Sequence, residues 1–145
     1  MTITHIPIAV GLVVVTVFIH AVGFDALLRV VVRSHILDKS GFWSVLPPVI
    51  GVTLWLALIH WAEIALWGQF YFWWGCMPDA ETALYFSAVT YTTVGYGDLT
   101  LPLQWRNFGP LEALTAILMF GLSTSLFFGF VLRWIGNWTH GADQP

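Results

Sequence analysis

Three long apolar runs, separated by one polar stretch and one glycine-bearing stretch, set the pattern of this chain. A membrane-crossing helix needs about 20 mainly apolar residues, because the hydrocarbon layer is about 30 Å thick and each helical residue rises about 1.5 Å. Residues 6–32, 48–73 and 110–134 meet that length. The first is rich in Val, Ile and Leu, and the others open with Pro48 and Pro110, prolines suited to a first helical turn. Between the first two runs lies a polar connector, 34–47, with Phe42 and Trp43 read as interface residues. Between the last two lies 74–109, too long for a simple turn and too apolar for a disordered loop.

That last segment has an order of its own. Pro78-Asp79 reads as a helix start, with Asp79 as N-cap and Glu81 in the first turn, where the helix dipole favours acids. A helix over 80–91 follows. Next comes Thr92-Thr93-Val94-Gly95-Tyr96-Gly97-Asp98, whose two glycines end it. So short a helix cannot cross a bilayer, so the chain is expected to dip in and return. Irregular backbone at that depth survives only when buried in protein or lining water.

Composition supports the membrane reading. Of 145 residues, 58% are hydrophobic and 9% charged, against about a quarter charged in an ordinary soluble domain. Nine tryptophans suit a protein with two interfaces to anchor, Trp134 and Trp138 among them. The net charge of −3, with no basic run, argues against a nucleic-acid partner. Cys76 is the one cysteine, which excludes an internal disulfide and a paired-cysteine metal site and leaves only a bridge between copies. Residues 1–7 carry no Lys or Arg, so the first run reads as a retained helix and not a cleaved signal peptide. Arg29, Arg33, Lys39 and Arg133 fall on one side and Arg106 on the other. The excess of positive charge marks the cytoplasmic side, which predicts an outside N-terminus and a cytoplasmic C-terminus. The 74–109 segment then enters from outside, beside Asp79, Glu81, Asp98 and Glu112, an acidic mouth that concentrates cations.

Stripping water from K⁺ is costly, so a selective pore must supply replacement oxygens. Successive backbone carbonyls do so where the chain alternates into conformations that ordinary residues resist, and Gly95 and Gly97 supply those positions. The Thr93 hydroxyl adds a further oxygen, while Val94 and Tyr96 brace the strand from behind. One strand cannot encircle an ion, so several copies are required. Thr93-Val94-Gly95-Tyr96-Gly97 matches the signature of potassium channel filters. Residues 48–135 resemble the pore module of the potassium channel superfamily, as in small prokaryotic channels: outer helix 48–73, pore helix 80–91, filter 92–98, inner helix 110–135. Residues 1–33 would add a peripheral helix and 136–145 a short cytoplasmic tail.

The resemblance implies an all-α homotetramer in the plasma membrane that conducts K⁺ passively. It also implies coordination of K⁺ by the carbonyls of Thr93, Val94, Gly95 and Tyr96 and the Thr93 hydroxyl. No cofactor is expected beyond K⁺ ions in the filter, and the partners are lipid and further copies of the chain. Tyr96 stands where non-selective relatives carry an acid. Tyr85 and Phe86 replace a common Trp-Trp pair, and by analogy Tyr85 hydrogen-bonds Asp98. Val89 stands where some bacterial members carry a glutamate. Thr92 supports the filter and lines the approach from the cavity.

Several residues read two ways. Gly121 is the bend of a gating inner helix or a small residue for close packing. One or two of Ser123, Thr124 and Ser125 face the cavity. Phe127, Phe128 and Phe130 either ring a dewetting gate or pack against lipid and neighbours. Glu63 and His60 share a helix face at membrane depth, as a proton-sensing pair or as a polar fastening to the first helix or the pore helix, for which His20 and Asp25 are suited partners. Metal binding is disfavoured because that pair offers only two ligands. Arg29 and Arg33 are too few for a voltage sensor. With so short a tail, gating is expected to respond to membrane, pH, ions or an unseen regulatory partner. No nucleotide-binding or redox motif points to an enzyme; a histidine-based membrane enzyme, a silent channel subunit and a transporter are the rival readings.

Overall fold

Apolar runs of this length build a bundle of helices. The computed structural model describes residues 5–33 and 42–142, with side chains over 5–33 and 46–136. Its elements are α1 (His5–Arg33), α2 (Phe42–Trp73), α3 (Ala80–Tyr91) and α4 (Phe108–Ala142), and among the described residues there is no strand. Helices α1, α2 and α4 are long and apolar enough to cross a membrane. α3, with 12 residues, is not. The chain is a multi-pass, all-helical membrane protein.

Two expected boundaries move. α2 begins at Phe42, so Pro48 is not in its first turn, and Pro47 and Pro48 both lie inside the helix. Their fixed φ suits a helix, and each removes one amide hydrogen bond close to the start. α4 continues to Ala142, so 136–142 extend the inner helix where a separate tail was expected. No proline interrupts that stretch, and glycine alone costs a helix only about 1 kcal/mol. Lys39 and the side chains of Phe42, Trp43 and Trp138 lie outside the described residues.

The start of α3 follows its capping chemistry. Asp79 is extended (φ −150°, ψ 168°). Its Oδ1 accepts the Thr82 backbone N–H at 2.8 Å and its Oδ2 accepts the Thr82 hydroxyl at 2.9 Å. Those bonds hold the Asp79 carboxyl below the usual carboxylate range.

Aromatic packing ties the helix ends together near α3. The His5 ring stacks on Trp105 at 4.4 Å, Phe70 stacks on Phe108 at 5.2 Å, and Trp74 meets Trp105 at 5.2 Å. Because His5 and Phe108 meet, α1 and α4 run in the same direction, and Arg33 and Arg133 share the opposite end. Cys76 is buried in this cluster, and burial pushes its thiol up to about 11. A buried thiol with a raised pKa is a poor nucleophile.

Two glycines sit where helices come close. A Cβ on Gly68 would lie 3.0 Å from the Leu84 Cα of α3, and one on Gly23 would lie 2.6 Å from Ile59 Cγ1 of α2. Trp67 Nε1 donates to Thr16 Oγ1 at 3.0 Å and Trp55 Nε1 to the Gly23 carbonyl at 2.9 Å, so α1 is fastened along α2. Because the atom facing Gly68 is backbone, Gly68→Val forces α3 off α2. The expected cost is about 1–3 kcal/mol, read as a lower melting temperature of the purified protein.

A candidate pore segment and the polar contacts behind it

The 92–98 segment grows out of the C-terminal end of α3. Thr92 caps the helix, with its N–H on the Ala88 carbonyl at 3.1 Å and its hydroxyl on the same oxygen at 2.7 Å. The next amides also turn back: Thr93 N–H to Thr90 O at 3.0 Å, then Val94 and Gly95 N–H to Val89 O at 3.1 and 3.2 Å. These bonds satisfy helix-end carbonyls that otherwise lack partners.

Every second residue then adopts a left-handed backbone, Thr93 at φ 60°, Gly95 at φ 56° and Gly97 at φ 77°. Glycine takes that conformation freely. Thr93 does not, and such strain costs about 1–3 kcal/mol where the surroundings enforce it. The sequence did not reveal Thr93 as a left-handed position, because a β-branched residue ordinarily avoids it. Among the described residues no hydrogen-bond donor lies on the carbonyl oxygens of Thr93, Val94, Gly95 or Tyr96.

The expected bracing is not found inside one chain. Val94 is 52% and Tyr96 72% exposed. Beside the segment lies an open cavity of about 450 Å³, lined by Phe86, Thr90, Leu99, Leu101 and Gly109 among others. The Tyr85 hydroxyl donates to Asp98 Oδ2 at 2.8 Å, joining α3 to the far end of the segment. If this bond sets the segment's shape, Tyr85→Phe and Asp98→Asn each lower the melting temperature of the purified protein. The double variant then does no worse than either alone, as melting curves of the three proteins will read.

Behind α3 the polar contacts differ from expectation in three ways. Glu63 and His60 do meet, His60 Nδ1 to Glu63 Oε2 at 3.1 Å, but they are not a pair. As the fastening reading expected, His20 of α1 brings Nδ1 to Glu63 Oε1 at 3.0 Å, and the Tyr91 hydroxyl of α3 donates to Glu63 Oε2. Ser123 of α4 places its Oγ 3.1 Å from His60 Nε2. One fully buried carboxylate thus draws all four helices together. Asp25 stays outside, paired with Arg29 at 2.8 Å on the surface.

Ser123 is buried here and does not line a cavity, because the α4 face carrying Glu112, Ala116, Met119 and Ser123 packs inward. Thr124 and Ser125 are exposed, the latter with its hydroxyl on the Leu122 carbonyl at 2.8 Å.

Glu112 is the third difference. It is fully buried and not at an outer mouth, with the Tyr71 hydroxyl donating at 2.7 Å and Ser87 Oγ 2.6 Å away. Ser87 and Tyr91 stand one turn apart on α3 and face these two carboxylates. Hydroxyls at that spacing on a helix too apolar to face water were the available signal.

Of the expected gate residues, Gly121 is exposed and a Cβ there meets nothing within 4 Å, so close packing within the chain does not explain it. Phe130 is buried against Leu27, Val52, Leu56 and Ile59, with Phe127 partly so. Phe128 is the exposed member of the three.

Comparison with protein families matches residues 49–133 to the family described as ion channel. No curated protein and no solved structure matches the chain. The match begins in α2, takes in α3 and the 92–98 segment, and ends in α4. The chain belongs to the ion channel family, with a pore domain of the potassium-channel type.

Proposed function

We propose that the chain is one of four identical subunits of a potassium-selective channel, with 92–98 as its filter. The observation that carries this reading is the left-handed backbone at Thr93, Gly95 and Gly97, combined with carbonyls from Thr93 to Tyr96 that no described donor takes. Amides 93–95 are turned back onto α3, which frees the oxygens on the other side for an ion stripped of water. The C-terminal end of α3 adds its partial negative charge behind them. One segment offers oxygens from one side only, so four copies surround the ion. Tetramerisation also accounts for the exposed Val94 and Tyr96, which a neighbouring copy covers, and for the cavity beside 92–98, which a neighbour fills.

The N-terminus lies outside and the C-terminus in the cytoplasm of a plasma membrane, in accord with Arg29, Arg33 and Arg133 at one end of the bundle. Thr92 faces the inner cavity, Gly121 is the point at which α4 bends, and Phe128 is the apolar residue nearest the closing point. Transport is passive and no catalysis is involved.

Reconstitution into liposomes tests the reading. Potassium gradients are expected to drive flux and sodium gradients to drive little, from a particle whose native mass corresponds to four chains. Equal flux of both ions would remove the filter from the account. A particle of another size would remove the four-fold pore.

A further inference from the structure

Three metal-ligating side chains from two helices converge inside the bundle. His20 of α1, and His60 and Glu63 of α2, each bring one ligand atom, and these atoms lie within 4.8 Å of one another. We propose that this cluster binds a borderline transition-metal cation of the Zn²⁺ class, through His20 Nδ1, His60 Nδ1 and the Glu63 carboxylate. Two imidazoles and one carboxylate are a donor set such cations take, with a fourth position open. The Nδ1 atoms lie 3.0 and 3.1 Å from the carboxylate oxygens. Bonds of about 2.0–2.1 Å around a tetrahedral ion set ligand atoms about 3.3 Å apart, so the carboxylate edges need open by only a few tenths of an ångström. The two imidazoles must draw together somewhat more.

The surroundings prepare both rings. His60 Nε2 lies 3.1 Å and His20 Nε2 3.5 Å from the same Ser123 hydroxyl oxygen. A serine oxygen accepts two hydrogen bonds, and a metal-bound histidine ordinarily donates its other N–H to a partner of this kind. With both Nε2–H groups on Ser123, both Nδ1 lone pairs aim at the carboxylate. In that tautomer a cation holds the three electron-rich atoms together; without a metal the rings instead carry Nδ1–H and donate to Glu63. The Tyr91 hydroxyl, 3.1 Å from His60 Nδ1, stands beside the open fourth position. A dication and one carboxylate leave one positive charge, which a bound water or Tyr91 offsets by releasing its proton.

A groove of about 260 Å³ between α1 and α4 is lined by His20 together with Val17, Phe24 and Leu122, with the exposed Asp25 carboxylate on its wall. A bound ion would pin α1 to α2 and, through Tyr91 and Ser123, to the helices on either side of 92–98. Metal binding does not depend on the channel reading; only its effect on flux does.

The test titrates the purified full-length assembly, stripped with chelator, with Co²⁺. The expected result is one Co²⁺ per chain with the intense visible absorption of a tetrahedral site, displaced by Zn²⁺. His20→Gln and His60→Gln should each abolish that band in protein that still elutes as the assembled particle. Ser123→Ala should weaken binding about 10–100-fold. Replacing His5, His35 and His140 together by alanine should leave it intact. Wild-type protein that is folded, conducts K⁺ and takes up no Co²⁺ overturns the proposal and leaves the cluster as hydrogen bonds from the rings to Glu63. Binding that persists unchanged in both glutamine variants overturns it as well, since the ion then sits elsewhere. Loss of K⁺ selectivity with Co²⁺ binding intact would sink the channel reading alone.

Discussion

Gly97→Ala and Gly95→Ala are each expected to abolish potassium-selective flux while leaving the helices folded. Their φ values, 77° and 56°, lie where an L-residue is penalised. A Cβ at either position meets nothing within 4 Å in the chain, so the penalty is conformational and not a clash. It amounts to about 1–2 kcal/mol per residue, and four copies in one pore multiply it to roughly 4–8 kcal/mol per filter. The backbone relieves that cost by rotating, which swings the neighbouring carbonyls off the ion. Gly75 is the internal control. It too has positive φ, 64°, with nothing within 4 Å, but it joins α2 to α3 away from 92–98. Gly75→Ala should cost similar local stability and spare selectivity. Liposome flux compared with elution profile and helix content separates the three variants.

Glu63→Ala should have the largest effect on stability. The fully buried carboxylate accepts from Tyr91 and contacts His20 and His60, so its removal strands three polar groups at membrane depth. Breaking such a buried cluster from one side costs about 3–5 kcal/mol. That is a large share of the roughly 5–15 kcal/mol by which folded proteins are stable. Glu63→Gln keeps the shape and part of the bonding, for a loss of about 1–3 kcal/mol. Replacing Glu63, His20 and His60 together by leucine should recover part of the alanine loss, because no orphaned partner remains. Melting temperatures of the purified proteins give the order: wild type, glutamine, triple leucine and alanine, with alanine lowest. A triple variant no more stable than Glu63→Ala would show that the cost is cavity formation and not stranded polarity.

Helix existence was legible because it rests on local signals. Apolar length gave α1, α2 and α4, and Pro78-Asp79 with Glu81 gave the start of α3 to the residue. Ends governed by weak signals were not: proline tolerated near a helix start hid the first residues of α2, and glycine tolerated near a helix end hid the last of α4. The glycines of 92–98 announced its left-handed backbone, but Thr93 did not, since only its place at the helix end forces that conformation. The polar contacts were half visible. His60 and Glu63 share a turn of one helix, so spacing found them. His20 of the first run was a suited partner and does join them, but Tyr91 and Ser123 come from two further helices, and the helix pairing that brings those in is not written in any local period. Glu112 was misplaced for the same reason. A charge count along the chain puts it near the outer end, while the inward face of α4 carries it to Tyr71 and Ser87.

The reversal potential of the reconstituted protein, with K⁺ on one side of a planar bilayer and Na⁺ on the other, tests the central claim most directly. A filter of dehydrating carbonyls predicts a reversal potential far toward the potassium equilibrium value, collapsing toward zero in Gly97→Ala if any current survives. A wild-type reversal potential near zero would contradict it: the pore would then pass hydrated cations, and the left-handed backbone at 93, 95 and 97 would serve some other purpose.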